Sequence, residues 1–315
     1  MHYFVKRTLS ALVVLFVVSL FAFSILHLLP GDPAVVILGM DAPPEEVRKL
    51  QLKLGLDQPV LQQYVHWLGG VLHGDFGESL RDGRPVGGII AQRAPASLFL
   101  GLWALLLASV VGPAAGVYSA LRRGTIGDLT TSAASMFLMA MPGFVLGLVL
   151  IYLFAIRWGL LPAGGYMSPF ESIAGHFRYM VLPVLTHAAV TIAMAARMTR
   201  SSYLDIVHSD FMRTAQSKGL PRRRIIIAHG LRNSLLPVIT LLGLQAGYLL
   251  GLAVVVEVVF NIPGLGKLLL DAVIARDYPL VQGGLLVVGA IYVIANYLVD
   301  MSYAFLDPRI RHARS

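Results

Sequence analysis

Apolar positions along this chain gather into runs of about 20 residues, each long enough to cross roughly 30 Å of hydrocarbon as a helix. Six such runs are expected to span a membrane: Leu9 to Leu29, Ser97 to Leu121, Ser132 to Ile156, Tyr179 to Met198, Leu235 to Phe260 and Leu280 to Phe305. Stretches such as Leu98 to Ala108 and Leu242 to Val256 lack the period-2 polar positions of a membrane β-barrel strand. The predicted class is therefore an all-α polytopic membrane protein. Lys6 and Arg7 precede the first run as they would in a signal peptide, but that run is too long and no small-residue cleavage site precedes Pro30. It is expected to stay in the mature chain.

Two longer polar segments interrupt the pattern, 30–96 and 199–234. In the first, Pro43 and Pro44 can open a helix that carries Glu45, Glu46, Arg48, Lys49 and Lys53 around Val47, Leu50, Leu52 and Leu54, before a turn at Gly55. A second amphipathic stretch, Val60 to Leu72, presents Tyr64 and Trp67, which suit a helix lying at headgroup level. In the second segment Tyr203, Leu204, Ile206, Val207, Phe211 and Met212 line one side of a helix leaving the fourth span. Arg213, Thr214, Ala215, Gln216, Ser217 and Lys218 continue it, and Gly219 can end it in the left-handed conformation.

Composition agrees with the runs: 57% of the 315 residues are hydrophobic, 13% are charged, and the mean hydropathy is +0.73. No soluble domain hides that much apolar surface. With no cysteine, disulfides and thiolate metal sites are excluded. The net charge of +8 raises nucleic acid as a partner, but the basic residues sit in membrane-flanking loops instead. Lys6 and Arg7, Arg122 and Arg123, the seven bases from Arg200 to Arg232, and Arg309, Arg311 and Arg314 all fall on one face. By the positive-inside rule that face is cytoplasmic, so residues 1–8, the loop 199–234 and the tail 306–315 are expected inside and 30–96 outside.

Candidate chemistry is sparse. Pro263 to Leu270 has a superficial likeness to a phosphate loop, but Asn261 replaces its first glycine and no Ser or Thr follows Lys267, so no nucleotide site is expected in this chain. Glu257, Asp300 and His187 are the ionisable residues in or near spans; they read either as pathway or gate lining, or as structural pairs close to an interface. Histidine spacing offers no metal site. Gly112 and Gly116, like Gly143 and Gly147, are four apart and would let helices approach closely, while Pro142 should kink the third span beside any conduit. On residue physics alone, the 199–234 loop suits either docking of another protein or contact of its arginines with anionic lipid.

Leu28 to Ala34 (LLPGDPA), Leu54 to Leu68, His73 to Leu80 (HGDFGESL), Arg213 to Gly219 (RTAQSKG), Val254 to Gly266 (VVVEVVFNIPGLG), Arg276 to Gly284 (RDYPLVQGG) and Asp307 to His312 form a set. Together they resemble the dipeptide/oligopeptide/nickel (DppB/OppB-like) branch of ABC importer permeases, over nearly the whole chain. The resemblance implies the type I ABC importer permease fold, with Arg213 to Gly219 as the coupling loop that docks on an ATPase subunit. The Glu-Ala-Ala that names this loop reads Arg213, Thr214, Ala215 here; the glutamate is missing, while Ala215 and Gly219 keep their spacing. Implied partners are a second homologous permease, two ATP-binding subunits holding ATP and Mg, an external solute-binding protein, and lipid. The implied activity is import of di- or oligopeptides by alternating access, with nickel chelates or glutathione as alternative cargo. A proton-coupled secondary transporter using Glu257, Asp300 and His187 is the competing class.

Overall fold

In hydrocarbon a backbone N–H or C=O finds no water, so each apolar run must satisfy its hydrogen bonds internally and folds as a helix. A computed structural model describes residues 2–28, 32–39, 41–53, 55–207, 209–210, 212, 217, 221, 230–251 and 253–306. In chain order the helices are α1 (His2–His27), α2 (Pro33–Leu38), α3 (Pro44–Lys53), α4 (Val60–Leu72), α5 (Val86–Leu121), α6 (Ile126–Ala140) and α7 (Gly143–Leu150). A π-helical turn, Ile151–Arg157, follows, then α8 (Ile173–Val207), α9 (Arg232–Gly251), α10 (Val254–Val259), α11 (Leu265–Ile274) and α12 (Tyr278–Leu306). Among the described residues α1, α5, α8, α9 and α12 are each long and apolar enough to cross a membrane, and α6 with α7 and the π-helical turn makes a sixth if that bent pair is one span rather than a re-entrant loop. The protein is thus a multi-pass, all-helical membrane protein.

Several helix ends depart from the apolar runs. α5 starts at Val86 rather than near Ser97, and its 36 residues reach about 54 Å, well beyond the hydrocarbon. Its first turns carry Gln92 and Arg93, polar residues that end an apolar run without ending a helix. α8 likewise extends from Ile173 to Val207. Pro142 does more than kink the third passage: α6 and α7 meet at 110°. Met141, which precedes the proline, is extended (φ −80°, ψ 125°), Pro142 is extended too, and the helix restarts at Gly143. The run expected from Leu235 to Phe260 is likewise divided, into α9 and α10.

The most extensive contact in the molecule is between α5 and α8. It is made by small residues: Gly101, Ala104, Ala108, Gly112 and Gly116 form a buried stripe along α5. A methyl group added at Gly116 would lie 2.4 Å from the Ala196 carbonyl oxygen, and one at Gly112 2.6 Å from the Ala195 Cβ. At Gly101 it would lie 2.3 Å from the Leu249 carbonyl of α9, so the same stripe seats a second helix. Gly147 rests against Phe260, whereas Gly143 has no neighbour within 4 Å. Outside this centre, α1 packs along α12 and leaves Leu9, Val13, Phe16 and Val17 exposed on its outer side.

Because the obstacle at Gly116 is backbone, Gly116→Ala should destabilise the detergent-solubilised chain by about 1 to 3 kcal/mol. Gly143→Ala should leave the thermal unfolding midpoint unchanged or slightly raised.

Candidate functional site

Of the segment 199–234 the structure describes residues 199–207, 209–210, 212, 217, 221 and 230–234. α8 continues unbroken to Val207, with Thr199 and Tyr203 buried and Asp205 exposed, so one side of the stalk is packed and the other is wet. The returning chain seats against it at Gly230, where a Cβ would lie 2.8 Å from the Tyr203 ring. Met212 and Ser234 are also buried. Ser217 is exposed and helical; Arg213, Thr214, Ala215, Gln216, Lys218 and Gly219 lie outside the described residues.

Directly beneath this stalk is an ion pair that the sequence reading passed over. Asp128, on the first turn of α6, faces Arg200 of α8 in a two-pronged contact: Nε donates to Oδ1 at 2.7 Å and Nη2 to Oδ2 at 2.9 Å. The Ser119 hydroxyl of α5 donates to Oδ1 at 2.5 Å, and the Gly124 amide donates to Oδ2 at 3.0 Å. One buried carboxylate therefore receives four hydrogen bonds from three parts of the chain, and the short turn between α5 and α6 closes over it. At the same end, Arg7 of α1 pairs with Asp300 of α12, which brings the first turns of α1 beside the last turns of α12.

The opposite end is organised by Glu257, which is fully buried. Its Oε1 accepts from the Ser97 hydroxyl at 2.6 Å and its Oε2 from the Lys267 amide at 2.8 Å, while Ser97 Oγ accepts from the Leu265 amide at 2.7 Å. Leu265 and Lys267 belong to the first turn of α11, whose leading N–H groups have no partner within the helix. Glu257 is thus a capping anion supplied from another helix, placed where the helix dipole favours negative charge. Gly264 permits the approach, since a Cβ there would lie 2.3 Å from the carboxylate. The turn into α11 also needs Asn261 in the left-handed region (φ 51°), a conformation asparagine tolerates.

Two other stretches meet at this end. The buried Asp277 caps α12 by accepting from the Leu280 amide, and it also accepts from the Ser79 hydroxyl and the Leu80 amide. Nearby, a cavity of ≈ 690 Å³ is lined by His66, Trp67, Asp75, Glu78, Tyr278 and Gln282. His187 is a packing residue whose Nε2 donates to the Leu249 carbonyl at 3.0 Å. Among the described residues no group of three His, Asp or Glu is placed to hold a metal ion.

Residues 112–312 match the family described as "binding-protein-dependent transport system inner membrane component", and residues 1–101 match the N-terminal component of such systems. The chain belongs to this family. Within it the chain falls in the DppB/OppB-like branch of ABC permeases. It is 39% identical to the dipeptide transport system permease protein DppB of Escherichia coli K12, over 99% of both chains. The glutathione transport system permease protein GsiC of the same strain matches equally, at 39% over 99% of each. The probable peptide ABC transporter permease protein y4tP of Sinorhizobium fredii is 39% identical over 98% of this chain and 99% of its own.

In this permease the named motifs acquire physical reasons. VVVEVVFNIPGLG is a helix, a capping carboxylate and the glycine turn that admits it. HGDFGESL and RDYPLVQGG are one contact, Ser79 on Asp277, written in two places. Asp128 carried no signal except a lone acid beside Arg122 and Arg123, and nothing in the sequence pointed it at Arg200. Removing the capping anion with Glu257→Ala should strand buried donors and destabilise the permease by about 3 kcal/mol, against about 1 kcal/mol for Ser97→Ala. Thermal unfolding in detergent reads both.

Proposed function

We propose that this permease is the membrane subunit of an ATP-driven importer that carries di- or oligopeptides into the cell by alternating access. The observation that carries the reading is the end-to-end match to permeases named for dipeptide, peptide and glutathione transport. Glutathione is itself a small peptide, so the three named cargoes share one chemical class. In this reading the face bearing Lys6, Arg7, Arg122, Arg123 and the 199–234 loop is cytoplasmic. There Arg213, Thr214, Ala215, Gln216, Ser217, Lys218 and Gly219 dock on one of two ATP-binding subunits, which hold ATP and Mg and hydrolyse the nucleotide. A second, homologous permease completes the passage. The 30–96 segment and the caps at Glu257 and Asp277 face an external solute-binding protein, where most cargo selectivity resides. Pro142 lies at the break of the third passage, a place for one half to swing against the other.

A proton-coupled carrier is less well supported. Such a relay needs a chain of ionisable groups through the midplane, whereas Glu257 and Asp300 sit at opposite ends of the bundle, each held by dedicated donors, and His187 between them spends its Nε2 on the Leu249 carbonyl.

Reconstitution discriminates between these readings. Vesicles holding both permeases and both ATPases should accumulate a labelled dipeptide only with ATP and the loaded binding protein. Accumulation by this subunit alone under a proton gradient would overturn the proposal. With the full complex, transport of a nickel chelate in preference to any peptide in a panel would retain the machinery and reject the cargo.

A further inference from the structure

Force applied to the 199–234 loop must reach the helices that form the passage. α8 is the stalk of that loop, and the small-residue seam joins it rigidly to α5. α6 is held differently. Its outer side is exposed at Ile126, Leu129, Met136 and Phe137, and its far end breaks at Pro142, so it is fixed to the stalk from one side only. At the end near the loop α6 is held to α5 by the short turn between them, by Gly127 against Tyr118 and by the Ser119 hydroxyl on Asp128, and to the stalk by both prongs of Arg200 on the same carboxylate. Arg200 stands two turns before the end of α8 at Val207, and Asp128 stands on the first turn of the helix that leads to the break.

We infer that Asp128 and Arg200 are positioning residues for transport: their ion pair makes α6 move with the stalk of the coupling loop, so that ATPase closure displaces the broken third passage. The inference rests on the ATP-driven reading above. Without the pair, the ATPases still close and hydrolyse, and α8 still moves with α5, but α6 follows only through its turn and contacts with α5, lags behind the stalk, and less solute is passed on per ATP. A pair that only held the fold together would lower hydrolysis and transport in step.

The test uses the complete complex in proteoliposomes. Arg200→Gln leaves the buried Asp128 carboxylate unmatched and Asp128→Asn leaves the partly exposed Arg200 guanidinium so, and the double variant Asp128→Asn/Arg200→Gln, which strands no charge, is therefore the decisive one. It should co-purify with the ATPase subunits and keep basal hydrolysis, while solute moved per ATP falls about fivefold and stimulation by the loaded binding protein weakens. Arg200→Lys keeps the charge but loses the two-pronged grip, and should fall between the double variant and the parent. An unchanged ratio of solute to ATP, a proportional loss of both activities, or failure of both the double variant and Arg200→Lys to assemble would each overturn the inference. The parent separates this from the underlying reading: solute accumulation by the parental permease without ATPases rejects the importer itself, whatever the variants do.

Discussion

The contact on which this architecture depends is the backbone-to-backbone approach of α5 and α8. Between helices in lipid there is no water to expel, so association comes from close packing, and small residues are what permit it. The glycine and alanine stripe on α5 brings it against the α8 backbone at Ala196 and against the α9 carbonyl at Leu249. Everything else is arranged around that centre. α12 packs on α9 and α1 on α12, while α6 docks on α8.

Charge is placed by the same economy. The buried carboxylates of Glu257, Asp277 and Asp128 stand close to helix ends, and each accepts from amides or hydroxyls that would otherwise lack a partner. A carboxylate that caps a helix and joins two segments offsets its own desolvation with charge-assisted bonds. These acids therefore fix where helices start and meet.

How far the sequence could be read follows from these interactions. Apolar runs are local, so the passages were legible; their ends were not, because a helix such as α5 continues through Gln92 and Arg93 after hydrocarbon stops. Pro142 announced a bend, but its size depends on Met141 also being extended. Gly112 and Gly116 were visible as a pair, yet the stripe from Gly101 to Gly116 needs its alanines counted as small residues too. Glu257 could be read as structural or as pathway lining, and its cap on α11 shows how it is held. The Asp128–Arg200 pair is 72 residues apart in the chain and has no local pattern, so only the fold brings it together. The motifs that carried the family resemblance were legible as words before they were legible as contacts, since Ser79 and Asp277 mean little until they touch.

The central claim is that energy enters this permease through the 199–234 loop. Because the chain has no cysteine, Ser217→Cys introduces its sole thiol. In the assembled complex that thiol should cross-link to an ATPase subunit, react with a membrane-impermeant maleimide only from the cytoplasmic side, and change its cross-linking yield when ATP is bound. Labelling from outside the cell, or a cross-linking yield to the ATPase no greater than that of Arg81→Cys at the opposite end, would contradict the account.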